Sequence, residues 1–306
     1  MRRTVFIGFL AVVGAAALLI AGCTATDLGK IGTSIAANQG YISDDQKGAI
    51  DRTGEAFRKS FEELTEEEEY YIGRAVAATL LGRYPLYKND EVTGYVNRVG
   101  RAVALYSSRP EIYGGWHFAV LDVDEVNAFA APGGTILITR GMLAILPDED
   151  ALACVLAHEV GHVAGRHGLA AIQKSRLIDA FAILGREAGT AWNKEELVKL
   201  TDLFDGAVGD VVRTLVERGY SRSQEKEADR MAVEFASAVG YRADGITRFL
   251  ERMDESGSGG AGMFATHPPA KDRIRDVEPV VKSRLAEGTD PSARTERFKR
   301  STRSIG

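Results

Sequence analysis

The stretch Asp150-Ala151-Leu152-Ala153-Cys154-Val155-Leu156-Ala157-His158-Glu159-Val160-Gly161-His162 constrains the fold more than any other. As a helix it is apolar on nearly every side, so it must be buried. Yet it carries His158, Glu159 and His162, polar groups whose burial is costly without strong partners. The chain has only five histidines, which makes two at this spacing informative. Four residues of helix rotate about 40° and rise about 6 Å, so the two imidazoles share a face where one cation can bind both. Glu159, one residue on, stands beside that cation and can take a proton from a bound water. This H-E-x-x-H pattern predicts one zinc ion per chain, with His158 and His162 as ligands and Glu159 as the catalytic base.

Two histidines leave such a site incomplete. Gly165 fits the pattern H-E-x-x-H-x-x-G-x-x-H, but position 168 is Gly168 and His167 comes one residue early. On a continuing helix His167 points about 140° away from His162, which marks it as a structural or surface histidine. A better source is Ser221-Arg222-Ser223-Gln224-Glu225-Lys226-Glu227-Ala228-Asp229, where Glu225 lies 63 residues beyond His162. Glu225 and Asp229 share a helix face, whereas Glu227 is turned about 200° from Glu225. One of the pair can ligate while the other orients; Asp229 accepting the distal N–H of a ligand histidine would fix its tautomer.

The chain begins with Arg2 and Arg3 followed by an apolar run, Val5 to Ile20, the pattern of a targeting signal over residues 1–22. Ile20-Ala21-Gly22-Cys23 has the form of a bacterial lipobox, so Cys23 is expected to be acylated and to tether the mature chain to a membrane. Residues 23–55 read as a tether, 56–286 as a metallopeptidase domain and 287–306 as a polar basic tail. Within it, over residues 294–303, Arg294, Arg297, Lys299, Arg300 and Arg303 face the single acid Glu296, a pattern that reads as a solvated tail. The formal charge is −5, and −7 once residues 1–22 with their two arginines are set aside, so nucleic acid is not an expected partner. Cys154 is the only other cysteine; it excludes a disulfide within the mature domain and is expected to behave as a small buried hydrophobe.

Thr65-Glu66-Glu67-Glu68 is a capping-box pattern that predicts a helix through about residue 82. Trp116–Val123 and Thr135–Thr139 are rich in β-branched and aromatic residues, and Pro132-Gly133-Gly134 punctuates the approach to the second. Beyond them the pattern is helical over about 149–166, 170–185, 194–217, 222–238, 244–254 and 270–286. The expected fold class is α+β, predominantly helical, with a small β-sheet beside the active-site helix.

H-E-V-G-H followed by His167, then S-R-x-x-E-x-E-A-D, resembles the gluzincin family of zinc metallopeptidases that includes HtpX and the CAAX prenyl protease. The lipobox and His267-Pro268-Pro269 make the chain most similar to its BepA-like, periplasmic lipoprotein branch. The resemblance covers roughly residues 60–285 and implies a zincin-like domain with zinc on His158, His162 and Glu225, Glu159 as general base, and Asp229 supporting a ligand. It implies that the sheet edge at Asn127, Ala128 and Phe129 aligns substrate as an added strand. His267 is implied as an oxyanion donor or as a fourth ligand that keeps the enzyme latent, with the Gly257–Gly262 run permitting the change. Arg273 either pairs with an acid of the site, steadies a developing charge, or is a plain helix-surface arginine. The expected function is endopeptidase action on unfolded or misassembled polypeptides in the bacterial envelope, the chain being lipid-anchored at Cys23 and facing the periplasm. Thr24, where an aspartate would signal inner-membrane retention, favours the outer membrane. The competing expectation is a chaperone or assembly factor that uses the same groove and cleaves rarely.

Overall fold

The computed structural model describes residues 64–172, 176, 179, 194–256, 262–285 and 291–305. The targeting signal, Cys23, Thr24, the tether, most of the helix expected over 170–185 and the glycine-rich run up to position 261 lie outside them. Asp179 apart, the described residues fall in one unit, Leu64–Leu177 with Ala191–Gly306.

Helix α1, Glu66–Arg83, starts as its capping box dictates: the Thr65 hydroxyl accepts the Glu68 N–H and the Glu68 carboxylate accepts the Thr65 N–H at 2.8 Å. Helix α2, Asp90–Leu105, has no counterpart among the sequence expectations. Its Val92, Tyr95, Val96, Val99 and Val103 recur every three or four residues and are buried, a helical stripe written in β-branched residues. Strands β1 (His117–Leu121) and β3 (Thr135–Thr139) pair in parallel, and β2 (Ala128–Ala131) pairs antiparallel to β3 with Phe129 opposite Leu137. The order β1-β3-β2 leaves β2 at an edge of this three-stranded sheet.

After α3 (Arg140–Ile145), the Asp148 carboxylate accepts the Ala151 N–H at 3.0 Å and starts α4, Glu149–Ala164. All of α4 except its last residue is buried, as its apolar sequence requires. Side chains such as Leu152, Val155, Leu156 and Val160 each stabilise the fold by about 1.5–3 kcal/mol through burial. A short α5, His167–Ala170, follows. Helix α6, Lys194–Arg213, runs on as a π-helical turn over Thr214–Arg218. Helix α7, Arg222–Val239, opens with a second capping box, Ser221 with Gln224, and closes at Gly240. It packs directly on α4: a Cβ on Gly161 would stand 3.3 Å from Met231 Cβ and 3.4 Å from Ala228 Cα, so the two backbones are nearly as close as side chains allow.

The last helices are α8 (Gly245–Ser256), α9 (Met263–Thr266), α10 (Ala270–Arg284) and α11 (Ser292–Thr302). The fold is therefore the predominantly helical α+β arrangement expected. The segment expected as a solvated tail differs, because α11 buries Phe298 and lays Arg297 against both oxygens of the buried Glu149. Buried acids at the start of α4 recruit the basic residues that composition alone assigned to solvent. Among the described residues no helix is long and apolar enough to cross a membrane.

Candidate metal centre

Helix α4 delivers His158 and His162 on one face, and their Nε2 atoms lie 3.0 Å apart. Helix α7 delivers Glu225 from its first turn, with Oε2 3.7 Å from His158 Nε2 and Oε1 3.5 Å from His162 Nε2. The loop after α9 delivers His267, whose Nδ1 is 2.7 Å from Glu225 Oε2. One donor atom from each of these four residues falls within a sphere where all lie within 4.8 Å of one another.

These distances fit a zinc ion. Donors about 2.0–2.1 Å from a tetrahedral zinc stand about 3.3 Å from each other, and the separations of 3.0 Å between the imidazoles and of 3.5 and 3.7 Å from them to the two Glu225 oxygens bracket that value. The buried Glu225 Oε1 and Glu159 Oε1 have no hydrogen-bond partner among the described residues. Orphaned carboxylate oxygens in so apolar a setting are what a bound cation would satisfy.

The two imidazoles differ: burial and the Arg273 charge press His158 down, but the hydrogen bond and charge of Asp229, with Glu225, outweigh them and raise its pKa. Burial, with the neighbouring His158 and His267 adding to it, holds the His162 imidazole well below its ordinary pKa, and a neutral imidazole is the form that ligates. Burial pushes the Glu225 carboxyl up, but the charge and hydrogen bond of His267 outweigh it and keep the group ionised. For Glu159 burial prevails and its carboxyl is raised, although His158 and His267 oppose this.

Asp229, one turn beyond Glu225, has Oδ1 2.9 Å from His158 Nδ1, so it can accept that N–H and leave the Nε2 lone pair facing the cluster. Arg273 sits on α10 and is only 4% exposed, which rules out the helix-surface alternative. Its guanidinium grips Asp229 with Nη2–Oδ1 at 2.6 Å and Nε–Oδ2 at 3.0 Å. That pairing outweighs burial and holds the Asp229 carboxyl far below the usual range.

The strand edge is built differently from its reading in sequence. Asn127 accepts the Thr139 N–H on its carbonyl, donates its own N–H to the Thr139 hydroxyl, and uses its side chain on Glu125 and on the Ala128 N–H. Phe129 turns its ring into the core against Tyr84. By the alternation of an antiparallel pair, the backbone groups on the outer edge belong to Ala128 and Ala130.

Sequence reasoning missed three contributors. Tyr220 stacks on His162 with ring centres 4.1 Å apart and an 18° tilt; its one visible signal is an aromatic immediately before the Ser221 cap. His167, expected as a structural or surface histidine, is 3% exposed and so structural; what the sequence did not show is that it meets His162 directly, Nδ1 to Nδ1, at 2.9 Å. The premise of a continuing helix fails there, since α4 ends at Ala164 and Arg166 adopts φ +54. Glu227, correctly turned away from the ligand face, reaches His167 Nε2 at 3.4 Å.

Comparison with known proteins agrees with this geometry. The chain is 26% identical over 224 residues to the beta-barrel assembly-enhancing protease of Escherichia coli, covering 72% of this chain and 43% of that protein. It is 31% identical over 193 residues to the mitochondrial metalloendopeptidase OMA1 of Schizosaccharomyces pombe, covering 61% and 52%. With the metalloprotease YcaL of Escherichia coli it shares 27% identity over 168 residues, covering 55% and 63%. The aligned part thus spans about half the length of these curated relatives. The model of Peptidase family M48 matches residues 90–281, which takes in α2, the sheet, both halves of the metal cluster and most of α10. The chain belongs to Peptidase family M48.

Proposed function

We propose that this chain is a zinc-dependent endopeptidase of the bacterial cell envelope that cleaves unfolded or misassembled polypeptides. One observation carries the reading: donor atoms of His158, His162 and Glu225 converge beside the buried carboxyl group of Glu159. Those three residues would hold the metal. A zinc ion bound there supplies a Lewis acid that polarises the scissile carbonyl and makes water nucleophilic near neutral pH. Glu159 takes the proton of the attacking water and hands it to the leaving amine, a task suited to a carboxyl group whose affinity for protons burial has raised. Asp229, itself clamped by Arg273, fixes the tautomer of His158. Substrate backbone pairs with the outer edge of β2 through Ala128 and Ala130.

His267 restrains Glu225 in the arrangement seen here and stands as the fourth donor. We read this as a latent form. Released from Glu225, the same imidazole is a donor for the oxyanion of the tetrahedral intermediate. Support for the envelope comes from the export signal and Cys23 in the sequence, and from a relative named for enhancing β-barrel assembly. Acylation at Cys23 would anchor the chain facing the periplasm, with Thr24 favouring the outer membrane.

The test is cleavage of casein and of a misfolded outer-membrane β-barrel protein by the parent and by Glu159→Gln, each with and without a chelator. Cleavage only by the untreated parent, regained on adding zinc, is the expected result. Equal cleavage in every sample discards the proposal. For the anchor, Cys23→Ser should abolish incorporation of labelled fatty acid in cells.

A further inference from the structure

The two histidines of α4 are supported unequally. His158 has a carboxylate, Asp229, at Nδ1, whereas His162 has another imidazole, His167, at 2.9 Å. We propose that His167, anchored by Glu227, is a positioning residue that sets the tautomer and orientation of His162 for metal binding; this rests on the reading of His162 as a ligand.

The hydrogen bonds permit one consistent assignment of protons. For His162 to present a lone pair on Nε2, the atom that faces His158 and Glu225, its proton must sit on Nδ1. That proton is then donated to His167 Nδ1, which must be unprotonated. The proton of His167 is therefore on Nε2, where Glu227 Oε2 accepts it at 3.4 Å. His162 donates once and keeps Nε2 for the metal, His167 accepts once and donates once, and the chain ends on a half-exposed carboxylate.

The backbone is shaped to make this contact. His167 is five residues past His162, out of reach along a regular helix, and it returns because Arg166 takes the left-handed conformation at φ +54, costly for a residue with a Cβ. The Arg166 guanidinium is held by the buried Glu69 at 3.2 Å. Position 165 must be glycine for the ring to lie where it does, since a Cβ there would stand 2.6 Å from His167 Nε2. On its own face, His162 is packed by Tyr220, so ring plane and ring rotation are fixed by different residues.

The test measures zinc affinity of the purified chain by competition with a chromophoric chelator, and the visible spectrum of the cobalt(II)-loaded chain, for His167→Leu, His167→Gln and Glu227→Gln. Loss of the acceptor in His167→Leu should weaken zinc binding by about 10–100-fold, the range found when a partner of a ligand histidine is removed. Its cobalt spectrum should shift as well. His167→Gln, whose amide oxygen can accept the His162 proton, should recover most of the affinity, and Glu227→Gln, at the end of a long contact, should lose least. Thermal melting of the metal-stripped chains separates this from packing, because the Leu variant should melt no lower than the parent. The proposal is overturned if His167→Leu binds zinc as tightly as the parent, or if Leu and Gln lose affinity equally. A parent chain that binds no zinc overturns the ligand reading itself, an outcome distinct from either.

Discussion

The two ends of α4 solve the problem of buried charge in opposite ways. At its N-terminal end Asp148, Glu149 and Asp150 each meet an arginine of their own, Arg248, Arg297 and Arg294 in turn. Glu149 also accepts from the hydroxyls of Tyr95 at 2.9 Å and Tyr241 at 3.2 Å. At the C-terminal end Glu159, Glu225 and Asp229 have, among the described residues, a single buried arginine, and Arg273 spends its hydrogen bonds on Asp229. Imidazole lone pairs and two orphaned carboxylate oxygens are left facing one another. At the first end every acid meets an arginine, although the buried Asp150 Oδ2 has no hydrogen-bond partner among the described residues; the second presents a donor set that a cation would complete. Charge matching, more than burial or polarity, tells a structural cluster from a binding one, for both are almost fully buried.

The sharpest way to break that contrast is to remove a carboxylate from the C-terminal end that is neither ligand nor fastening. Glu159→Gln should lower peptide cleavage by about 10²–10⁴-fold, the usual worth of a general base. Zinc content should stay at the parental level and the melting temperature should not fall, since an acid that burial disfavours is replaced by a neutral isostere. A loss of stability comparable to the loss of activity would mean that Glu159 fastens the fold as Glu149 does, and the distinction would fail.

Glu225→Ala tests the cation directly. Metal analysis after dialysis should find well under one zinc per chain, against one in the parent, because two imidazoles alone do not make a closed site. The mirror experiment belongs to the other end. Arg297→Met leaves the buried Glu149 carboxyl group with two tyrosine donors among the described residues, and should cost about 1–3 kcal/mol in urea unfolding. Zinc content of Arg297→Met should be unchanged. A drop in metal binding there would show that the ends are coupled through α4.

How much of this was readable in the sequence follows the range of the interactions. His158, Glu159 and His162 were legible because helix period alone brings them together. Glu225 and Asp229 were legible because their spacing places them on one face, and the resemblance then chose between their roles. Helix α2 was not: Val92, Val96, Val99 and Val103 with Gly94 and Gly100 are poor helix formers locally, and they are helical because the buried face demands it. The contact of His167 with His162 was hidden by one residue, Arg166, whose left-handed backbone no periodicity announces. Likewise, nothing local in Ser292–Thr302 reveals that Arg294 and Arg297 answer Asp150 and Glu149 far back in the chain. Tertiary pairing overrode a composition that read as solvated.

The smallest expected effect concerns the rim of the N-terminal cluster, where charge matching should show itself as a pH dependence. Burial pushes the Asp244 carboxyl up, but the hydrogen bond from Arg242 and the charge of Arg248 outweigh it and hold the group below its ordinary range. A depressed carboxyl contributes stability that is complete above the unfolded value, near pH 3.9, and is lost as pH falls from there through the folded value. Unfolding of the metal-stripped chain, followed in urea from pH 6 down to about pH 3, should therefore show a stability decline that is shallower in Asp244→Asn. The difference should stay under about 1 kcal/mol because the pair is partly solvated. Using metal-stripped chain keeps acid-driven release of metal out of the comparison, and the titration of the candidate metal centre is common to both chains. If Asp244→Asn declines as steeply as the parent, the arginines at this end do not stabilise their acids, and charge matching no longer separates the two ends of α4.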